Sequence, residues 1–413
     1  LLLGGCHGPS ESKAKPQTPR CDDAVEGSGV VEAQLRQHQR SLHTATDPAA
    51  SLTRVGNDWI RLARVRTEPR LYAEAQACAR EALLLAPEDA GARVLQAFVL
   101  LEEHRFREAD RVARALLARD TDNPVAWSLV SDAQLELGDL DAAMDAAQRM
   151  LDLKPNLPSY GRAAHLRWLQ GDSAGAKLLY QQAIHAGEAQ KDPEPRAWMI
   201  VQAAWLFWHE GDYRGAQAGF DAALAQLPKY APALEGKGKA ALALGDYVDA
   251  VRWLEQAYQA HPLIETAWWL GDAYQLKGDA AQARKYHERV ERDGERLDPR
   301  TLALYLATRD REPEKALRLA RAEHAQRADV WSKDVLAWAS YRAGLLQDAL
   351  KLSAEALAHG TKDARLLYHA GVIRRAAGAS AEGDALIEQA TRLNPYFDRI
   401  LLGRTDGTLA QNP

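Results

Sequence analysis

The chain has 413 residues, 52 basic and 57 acidic side chains, and a formal net charge of −5. It has no run of eighteen apolar residues, which excludes a bundle of membrane-spanning helices, and no basic block, which argues against nucleic-acid binding. Three cysteines are too few for a disulfide framework. The aromatic composition is unusual, because 11 Trp and 13 Tyr accompany only 5 Phe. A buried indole N–H needs a hydrogen-bond partner, so we expect some tryptophans on a surface.

The first six residues look like the end of a secretion signal. Leu3-Gly4-Gly5-Cys6 resembles the bacterial lipobox, in which an apolar residue and two small residues precede a cysteine that is lipidated and becomes the mature N-terminus. The resemblance implies lipidation of Cys6. His7 stands where an aspartate would imply retention at the inner membrane, so the resemblance implies transfer to the outer membrane. The alternative is an apolar chain end with a free thiol.

Residues 7–29 combine prolines and glycines with Ser, Lys, Asp and Glu. Such a composition cannot bury enough apolar surface to offset the entropy cost of ordering. We therefore expect a flexible tether that holds a folded body off the bilayer. The pattern over Val30–Thr46 predicts one helix, and we assign residues 30–55 to an N-terminal cap on the repeats that follow.

A glycine recurs along the rest of the chain at intervals near 34 residues. Five copies precede an aspartate, at steps of 33, 40, 34 and 33: Gly138, Gly171, Gly211, Gly245 and Gly278. An alanine comes five residues after each of them, and prolines close several units. Glycine adopts positive φ and ends a helix, alanine lets two helices approach closely, and proline excludes its predecessor from the helical region. The pattern predicts repeated units of helix, turn and helix.

These units resemble the tetratricopeptide repeat. The first and seventh units carry its motif most fully, through Trp59, Leu62, Tyr72, Ala75 and Pro87 and through Leu270-Gly271, Tyr274 and Ala283. The resemblance implies an all-α, right-handed superhelical solenoid of about ten helix-turn-helix repeats over residues 56–397, followed by a C-terminal tail, 398–413. The units start near Gly56, Ala90, Pro124, Leu157, Ala197, Ala231, Ile264, Leu297, Val330 and Ala364.

The sequence holds no motif of a catalytic, metal or cofactor site. It lacks a phosphate-binding Gly-x-x-x-x-Gly-Lys loop, a Gly-x-Ser-x-Gly elbow and a His-Glu-x-x-His helix. We therefore expect no enzymatic activity, no cofactor and no bound metal. We interpret Cys78 as a buried small apolar residue. A disulfide between Cys21 and Cys78 is the less favoured alternative, because Cys21 falls in the predicted tether.

Most tryptophans fall on one predicted surface. In a tetratricopeptide solenoid the first helix of each unit lines the inner wall, and its inward residues form a stripe of spacing three and four. Only Trp59 and Trp127 occupy the packing place of the repeat, and Trp253 lies on a second helix. The other eight lie on the inner stripe with three tyrosines: Trp168, Trp198, Trp205, Trp208, Trp268, Trp269, Trp331, Trp338, Tyr305, Tyr341 and Tyr368.

Two interpretations of this aromatic stripe stay open. The rings either pack between neighbouring first helices, or line a concave groove that binds a partner. Under the second interpretation the chain is a non-enzymatic protein-protein interaction scaffold, held by its lipid on the periplasmic face of the outer membrane and serving envelope assembly, secretion or export. Its partner is a protein or peptide, and nucleic acid is excluded. The alternative is a carbohydrate-binding accessory of polysaccharide export.

Overall fold

The computed structural model describes residues 20–66 and 68–405. This part of the chain contains 22 α-helices and no β-strand, which confirms the predicted all-α fold of stacked helix-turn-helix repeats. Cys6 with its lipobox, residues 7–19 and residues 406–413 lie outside the described residues. The chain divides into two compact units, which we call unit 1, up to Pro155, and unit 2, from Asn156 onward.

Unit 1 consists of a leading helix and three helical hairpins. The two helices of each hairpin pack against each other, and each hairpin packs on the next. The helices are α1 (Val30–Ser41), α2 (Pro48–Arg66), α3 (Tyr72–Leu85), α4 (Ala90–Glu102), α5 (Phe106–Leu117), α6 (Pro124–Glu136) and α7 (Leu140–Leu153).

The chain before α1 is fastened to the first hairpin. Cys21 is buried and forms a disulfide with Cys78 of α3, and Nε1 of Trp59 donates to the Cys21 carbonyl at 3.0 Å. The guanidinium of Arg36 donates to the Gly27 carbonyl at 2.7 Å. The predicted tether is therefore wrong for residues 20–29, because covalent and hydrogen bonds order a segment whose composition alone would not. The interpretation of Cys78 as unpaired is also wrong, and the disulfide alternative is confirmed.

The first hairpin begins earlier than the repeat spacing predicts. α1 ends at Ser41, sooner than expected, and a short 3-10 turn follows at Leu42–Thr44. α2 then begins at Pro48. The Asp47 carboxylate accepts a hydrogen bond from the first turn of α2 at 3.0 Å, and a proline in the first turn loses no helical hydrogen bond. Residues 48–55, which we assigned to the cap, therefore belong to the first hairpin.

Unit 2 contains seven hairpins and a short last helix. Its helices are α8 (Leu157–Leu169), α9 (Ser173–Ala186), α10 (Glu194–His209), α11 (Tyr213–Gln226), α12 (Ala231–Leu244), α13 (Tyr247–Ala260), α14 (Ile264–Lys277), α15 (Ala280–Leu297), α16 (Pro299–Arg309), α17 (Pro313–Gln326), α18 (Val330–Arg342), α19 (Leu346–Leu357), α20 (Ala364–Ala376), α21 (Ser380–Leu393) and α22 (Arg399–Thr405).

Seven of the ten hairpins begin at the residue that the repeat spacing predicts. The exceptions are α2, α10 and α16. The extra residues of the 40-residue step lie in the loop 187–193 and in the first turn of α10, which starts at Glu194 rather than Ala197. α16 starts at Pro299, where Asp298 caps the helix by accepting from the backbone N–H of Thr301.

The Gly-Asp pairs form the turn inside five hairpins. All five glycines have positive φ, between 77° and 90°, as predicted for residues that end a helix. Each aspartate caps the second helix, because its carboxylate accepts the backbone N–H three residues on. These aspartates are Asp139, Asp172, Asp212, Asp246 and Asp279. The alanines expected at the helix crossings are buried: Ala143, Ala176, Ala216, Ala250 and Ala283.

Unit 2 closes on itself. The hydroxyl of Thr361, just before α20, donates to the Leu169 carbonyl at the end of α8 at 2.5 Å. Nη2 of Arg399 in α22 donates to the Ala243 carbonyl in α12 at 2.6 Å. An open solenoid would leave its first and last hairpins apart. Closure instead encloses the inner faces of the first helices.

A buried hydrogen-bond network holds this closure. Asn394 at the end of α21 is fully buried, and its Nδ2 donates to the Trp208 carbonyl at 2.7 Å. Its Oδ1 accepts from the Tyr213 hydroxyl at 2.5 Å, and the Tyr213 oxygen accepts from the Tyr396 backbone N–H at 3.0 Å. Because buried polar groups need partners, the network fixes the end of α21 against the turn between α10 and α11.

We expect Tyr213→Phe to lower the free energy of unfolding by about 1 kcal/mol, because Oδ1 of Asn394 and the Tyr396 backbone N–H would keep only the longer hydrogen bond between them, at 3.3 Å. Chemical denaturation monitored by circular dichroism measures the change. Tyr247→Phe is the matched control: Tyr247 follows the next Gly-Asp pair, but its hydroxyl has no hydrogen-bond partner among the described residues. The control should change the free energy of unfolding by less than about 0.5 kcal/mol. Equal effects of the two substitutions would contradict the assigned network.

Candidate binding cavity

The inner helices of unit 2 surround a cavity of about 260 Å³. Six first helices contribute to its wall, from α10 to α20, together with the segment around the start of α22. We call this space the central cavity. Its lining residues are Trp205, Trp208, His209, Glu235, Lys239, Glu265, Trp268, Trp269, Thr308, Trp331, Asp363, Ala364, Arg365, His369, Phe397, Asp398 and Leu401.

The structure divides the eleven aromatic residues of the predicted groove into two sets. Five line the central cavity: Trp205, Trp208, Trp268, Trp269 and Trp331. The other six are not part of its lining: Trp168, Trp198, Trp338, Tyr305, Tyr341 and Tyr368. Seven of the eleven are buried, whereas Trp198, Trp205, Trp331 and Tyr341 are half-buried. Part of the inner stripe thus lines a partly open cavity.

Several rings of the second set pack between helices. Trp338 is 1% exposed, and its ring stacks on His369 with centroids 4.2 Å apart. The Trp168 ring lies 4.5 Å from the His209 ring and 6.1 Å from the Trp331 ring. These contacts join α8 to α10 and α18. The packing interpretation of the stripe therefore describes Trp168 and Trp338, and the five cavity residues remain candidates for binding.

A lysine ammonium lies among the cavity tryptophans. Nζ of Lys239 is 4.4 Å from the ring centroid of Trp269, 4.8 Å from that of Trp205 and 5.4 Å from that of Trp208. It also lies 3.3 Å from Oε1 of Glu265. Ring faces attract cations because their quadrupole is negative there. The cavity therefore has an aromatic wall suited to positive charge.

Two glutamates on neighbouring helices share the Lys239 ammonium. Burial raises the pKa of Glu235 to about 7, and the nearby carboxylate of Glu265 adds to the rise. Glu235 accepts a hydrogen bond from the Thr266 hydroxyl at 2.5 Å. Burial also raises the pKa of Glu265, but Lys239 and the Trp269 indole N–H outweigh it and hold that pKa below its usual range. The lysine therefore stabilises chiefly the Glu265 charge.

The opposite wall holds a histidine and two aspartates. Burial lowers the pKa of His209 to about 4, although Asp363 lies 3.5 Å away. His209 is therefore uncharged at neutral pH. Burial raises the pKa of Asp363, but His209 and Arg365 outweigh it and keep that pKa low. Burial and then the charge of Asp272 raise the pKa of Asp398.

Four buried polar atoms of the cavity-lining residues have no hydrogen-bond partner within the described chain. They are Nε1 of Trp208, Nε1 of Trp268, Nε of Arg365 and Nε2 of His369. The Trp208 and His369 side chains are 8% and 0% exposed. Nδ1 of His369 lies 3.0 Å from both carboxylate oxygens of Asp334. In the neutral ring Nδ1 therefore donates and Nε2 accepts. The cavity wall therefore contains buried polar groups whose hydrogen-bonding capacity the described chain does not use.

Sequence reasoning identified the cavity aromatics but missed its charged groups. Glu235, Lys239 and Glu265 lie on the same first-helix faces as the tryptophans. The signal was present, because Glu235 and Lys239 are four residues apart on a helix whose one other charged residue is Lys237. The described helices include none long and apolar enough to cross a membrane. Within the same residues, no three or more His, Cys, Asp and Glu side chains are grouped to hold a metal ion.

We expect Lys239→Met to lower the free energy of unfolding by about 2 kcal/mol at pH 8, because Glu265 loses its counter-charge beside Glu235. The loss should shrink toward pH 5. In the wild-type protein Glu265 stays charged over this range, because Lys239 lowers its pKa. In the variant that lowering is lost, burial raises the pKa of Glu265, and proton uptake as the pH falls relieves the unpaired charge. Urea titrations at the two pH values measure it.

Lys237→Met is the control for that substitution, because Lys237 lies on the same helix and pairs with the exposed Asp221 at 2.5 Å. Asp221 is exposed and Lys237 also lies over the Trp253 ring, with its Nζ 4.0 Å from the ring centroid. Because one end of the pair is in solvent, we expect the pair to contribute below about 1 kcal/mol. A pH-independent loss in the Lys239 variant would show that the lysine acts through packing alone.

Comparison with known proteins identifies the repeat. The family model described as the tetratricopeptide repeat matches residues 94–158 and 201–263. No curated protein matches the sequence. Proteins built from this repeat are typically non-enzymatic scaffolds that bind protein partners along the surfaces of stacked helices.

Solved structures share the fold at low sequence identity. A monomeric mutant of IFIT1 with m7Gppp-AAAA is 13% identical, with a TM-score of 0.50 over 88% of this chain and 85% of that one. The APC/C hetero-tetramer Cut9-Hcn1 is 14% identical, with a TM-score of 0.49 over 87% of this chain and 59% of that one. PilW, a widely conserved type IV pilus biogenesis factor, is 16% identical, with a TM-score of 0.43 over 49% of this chain and 91% of that one. The family model places tetratricopeptide repeats in both units of the chain.

Proposed function

We propose that this protein is a non-enzymatic scaffold of the bacterial envelope, anchored to the periplasmic face of the outer membrane by a lipid on Cys6. It binds a protein partner by taking a short segment of that partner into the central cavity. The observation that carries the binding proposal is the cavity wall itself. It combines aromatic faces, ionised groups and the unpartnered Trp208 and His369 atoms.

The size of the central cavity favours a short segment. At about 260 Å³ it is slightly smaller than the roughly 300–1,000 Å³ of typical ligand pockets, so it admits one or two residues rather than a folded surface. A peptide backbone supplies both the N–H that Nε2 of His369 needs and the carbonyl that Nε1 of Trp208 needs. The half-buried Trp205 and Trp331 offer the partner large aromatic contact areas at low entropic cost.

The disulfide supports an exported location. Cys21 and Cys78 are bonded, and structural disulfides persist in the oxidising periplasm, whereas the cytosol keeps thiols reduced. Residues 7–19 separate Cys6 from the first fastened residues. A lipid on Cys6 would therefore be joined to unit 1 through this short linking segment.

The binding proposal predicts site-specific cross-linking. A photoreactive benzoylphenylalanine at position 205 should give a light-dependent protein adduct in living cells, because the half-buried Trp205 lines the cavity. Position 253 is the control, since Trp253 is also a half-buried tryptophan of unit 2 but lies on a second helix, α13. Immunoblotting and mass spectrometry identify the adduct.

Equal adducts at the two positions, or none at position 205, would contradict binding in the central cavity. An adduct at position 205 whose added mass a glycosidase removes would favour the carbohydrate-binding alternative instead.

The anchoring proposal predicts that Cys6→Ser moves the protein from the membrane fraction to the soluble periplasmic fraction, because the acyl chains would supply the membrane affinity. The protein is produced from its own gene in its own host and labelled with radioactive palmitate. Cys21→Ser combined with Cys78→Ser is the control and should keep both label and membrane association. Label retained by the Cys6→Ser variant would rule out this anchor.

A further inference from the structure

Two carboxylates of the central cavity form no close ion pair among the described residues, although the charge of Lys239 acts on one of them and those of Arg309 and Arg365 act on the other. Glu235 and Asp398 both line the cavity, and neither is ion-paired within residues 20–66 and 68–405. Glu235 accepts only the Thr266 hydroxyl at 2.5 Å. Asp398 accepts the Leu401 backbone N–H at 2.8 Å. Each carboxylate therefore keeps lone pairs free.

The two cations that line the cavity each act on more than one carboxylate. Lys239 lies 3.3 Å from Glu265, and its charge also acts on Glu235. The charge of Arg365 acts on Asp363, Glu265 and Asp398. When all four lining carboxylates are ionised they outnumber these two cations, because His209 is uncharged at neutral pH, and the lining then carries an excess of negative charge. Charge excess in a low-dielectric site attracts a ligand of opposite sign more strongly than on an open surface.

Two further features point to an occupant rather than to a solvated acidic patch. Nε1 of Trp208 and Nε2 of His369 are buried and unpartnered in the same wall. The rings of Trp205 and Trp269 already surround one ammonium, that of Lys239. The wall is thus built of the groups that bind ammonium and guanidinium ions, namely carboxylates and indole faces.

We propose that the segment entering the central cavity presents a positively charged side chain, an arginine or a lysine, whose charge is held between Glu235 and Asp398. This inference rests on the proposed function, because it names the chemistry of the segment that the same cavity takes up. The backbone on either side of this charged side chain supplies hydrogen-bond partners for Trp208 and His369.

The proposal predicts that the affinity of the cavity for a cation depends on pH. Glu235 is ionised only above its raised pKa, so affinity for the cation should increase from pH 5.5 to pH 8, and binding at pH 6.5 should release a proton. The charged or titratable groups that share the cavity with Glu235 are Lys239, Glu265, His209, Asp363, Arg365, His369 and Asp398. Of the four lining carboxylates, Glu235 and Asp398 have raised pKa values, whereas Glu265 and Asp363 have lowered ones. The increase of affinity with pH is therefore assigned to the ionisation of Glu235 and Asp398.

The test is isothermal titration calorimetry of the full chain with an N-acetylated, C-amidated pentapeptide that has one arginine between alanines. The same peptide with citrulline, which is similar in shape but uncharged, is the comparison. We expect the arginine peptide to bind at least about tenfold more tightly. Glu235→Gln should remove most of this preference, and Glu288→Gln, at an exposed position of α15, should leave it unchanged. Circular dichroism melts confirm that both variants fold.

Equal affinity of the two peptides would overturn the charge assignment while leaving the proposed binding of a segment intact. Binding of neither peptide would also overturn it, and the cross-link at position 205 would then decide separately whether a partner enters the cavity. Spermidine, a free polyamine, is the third probe. Tighter binding of spermidine than of the arginine peptide, lost in Glu235→Gln, would assign the site to a small amine instead of a partner side chain.

Discussion

Closure of unit 2 is the constraint from which its other properties follow. The hydrogen bonds of Asn394 to Tyr213 and to the Trp208 carbonyl join segments more than 180 residues apart in the chain. Once these segments meet, the inner faces of the first helices turn toward one another instead of toward solvent. Desolvation of Glu235 and His209, and the pKa shifts that follow, result from this enclosure.

The local part of the fold could be predicted because its causes are local. A glycine with positive φ, a capping aspartate and a buried alanine act within a single hairpin, so a period near 34 residues locates each turn. The bond between Cys21 and Cys78 could not be predicted in the same way. It depends on a segment outside the repeats, whose polar composition indicates disorder when the folded partner surface is unknown.

The inner-stripe positions of the candidate site residues could be predicted from the sequence. Which of these residues line the cavity and which belong to the core could not. Inner-stripe spacing brings Trp205, Trp208 and Trp269 together, as expected. The same spacing also selects Trp338, which is 1% exposed and part of the core. A one-dimensional pattern specifies the direction in which a side chain points from its helix, whereas burial depends on what lies opposite. In unit 2 the opposite wall comes from hairpins distant in sequence.

Closure also limits how unit 2 can evolve. An open stack of hairpins gains or loses a repeat at either end at little cost, because each repeat contacts only its neighbours. In unit 2 the turn after α8 must meet the chain around Thr361, and Arg399 must reach α12. Insertion or deletion of one hairpin would rotate these surfaces out of register. The number of repeats in unit 2 is therefore fixed by geometry, and its sequence can diversify mainly by substitution.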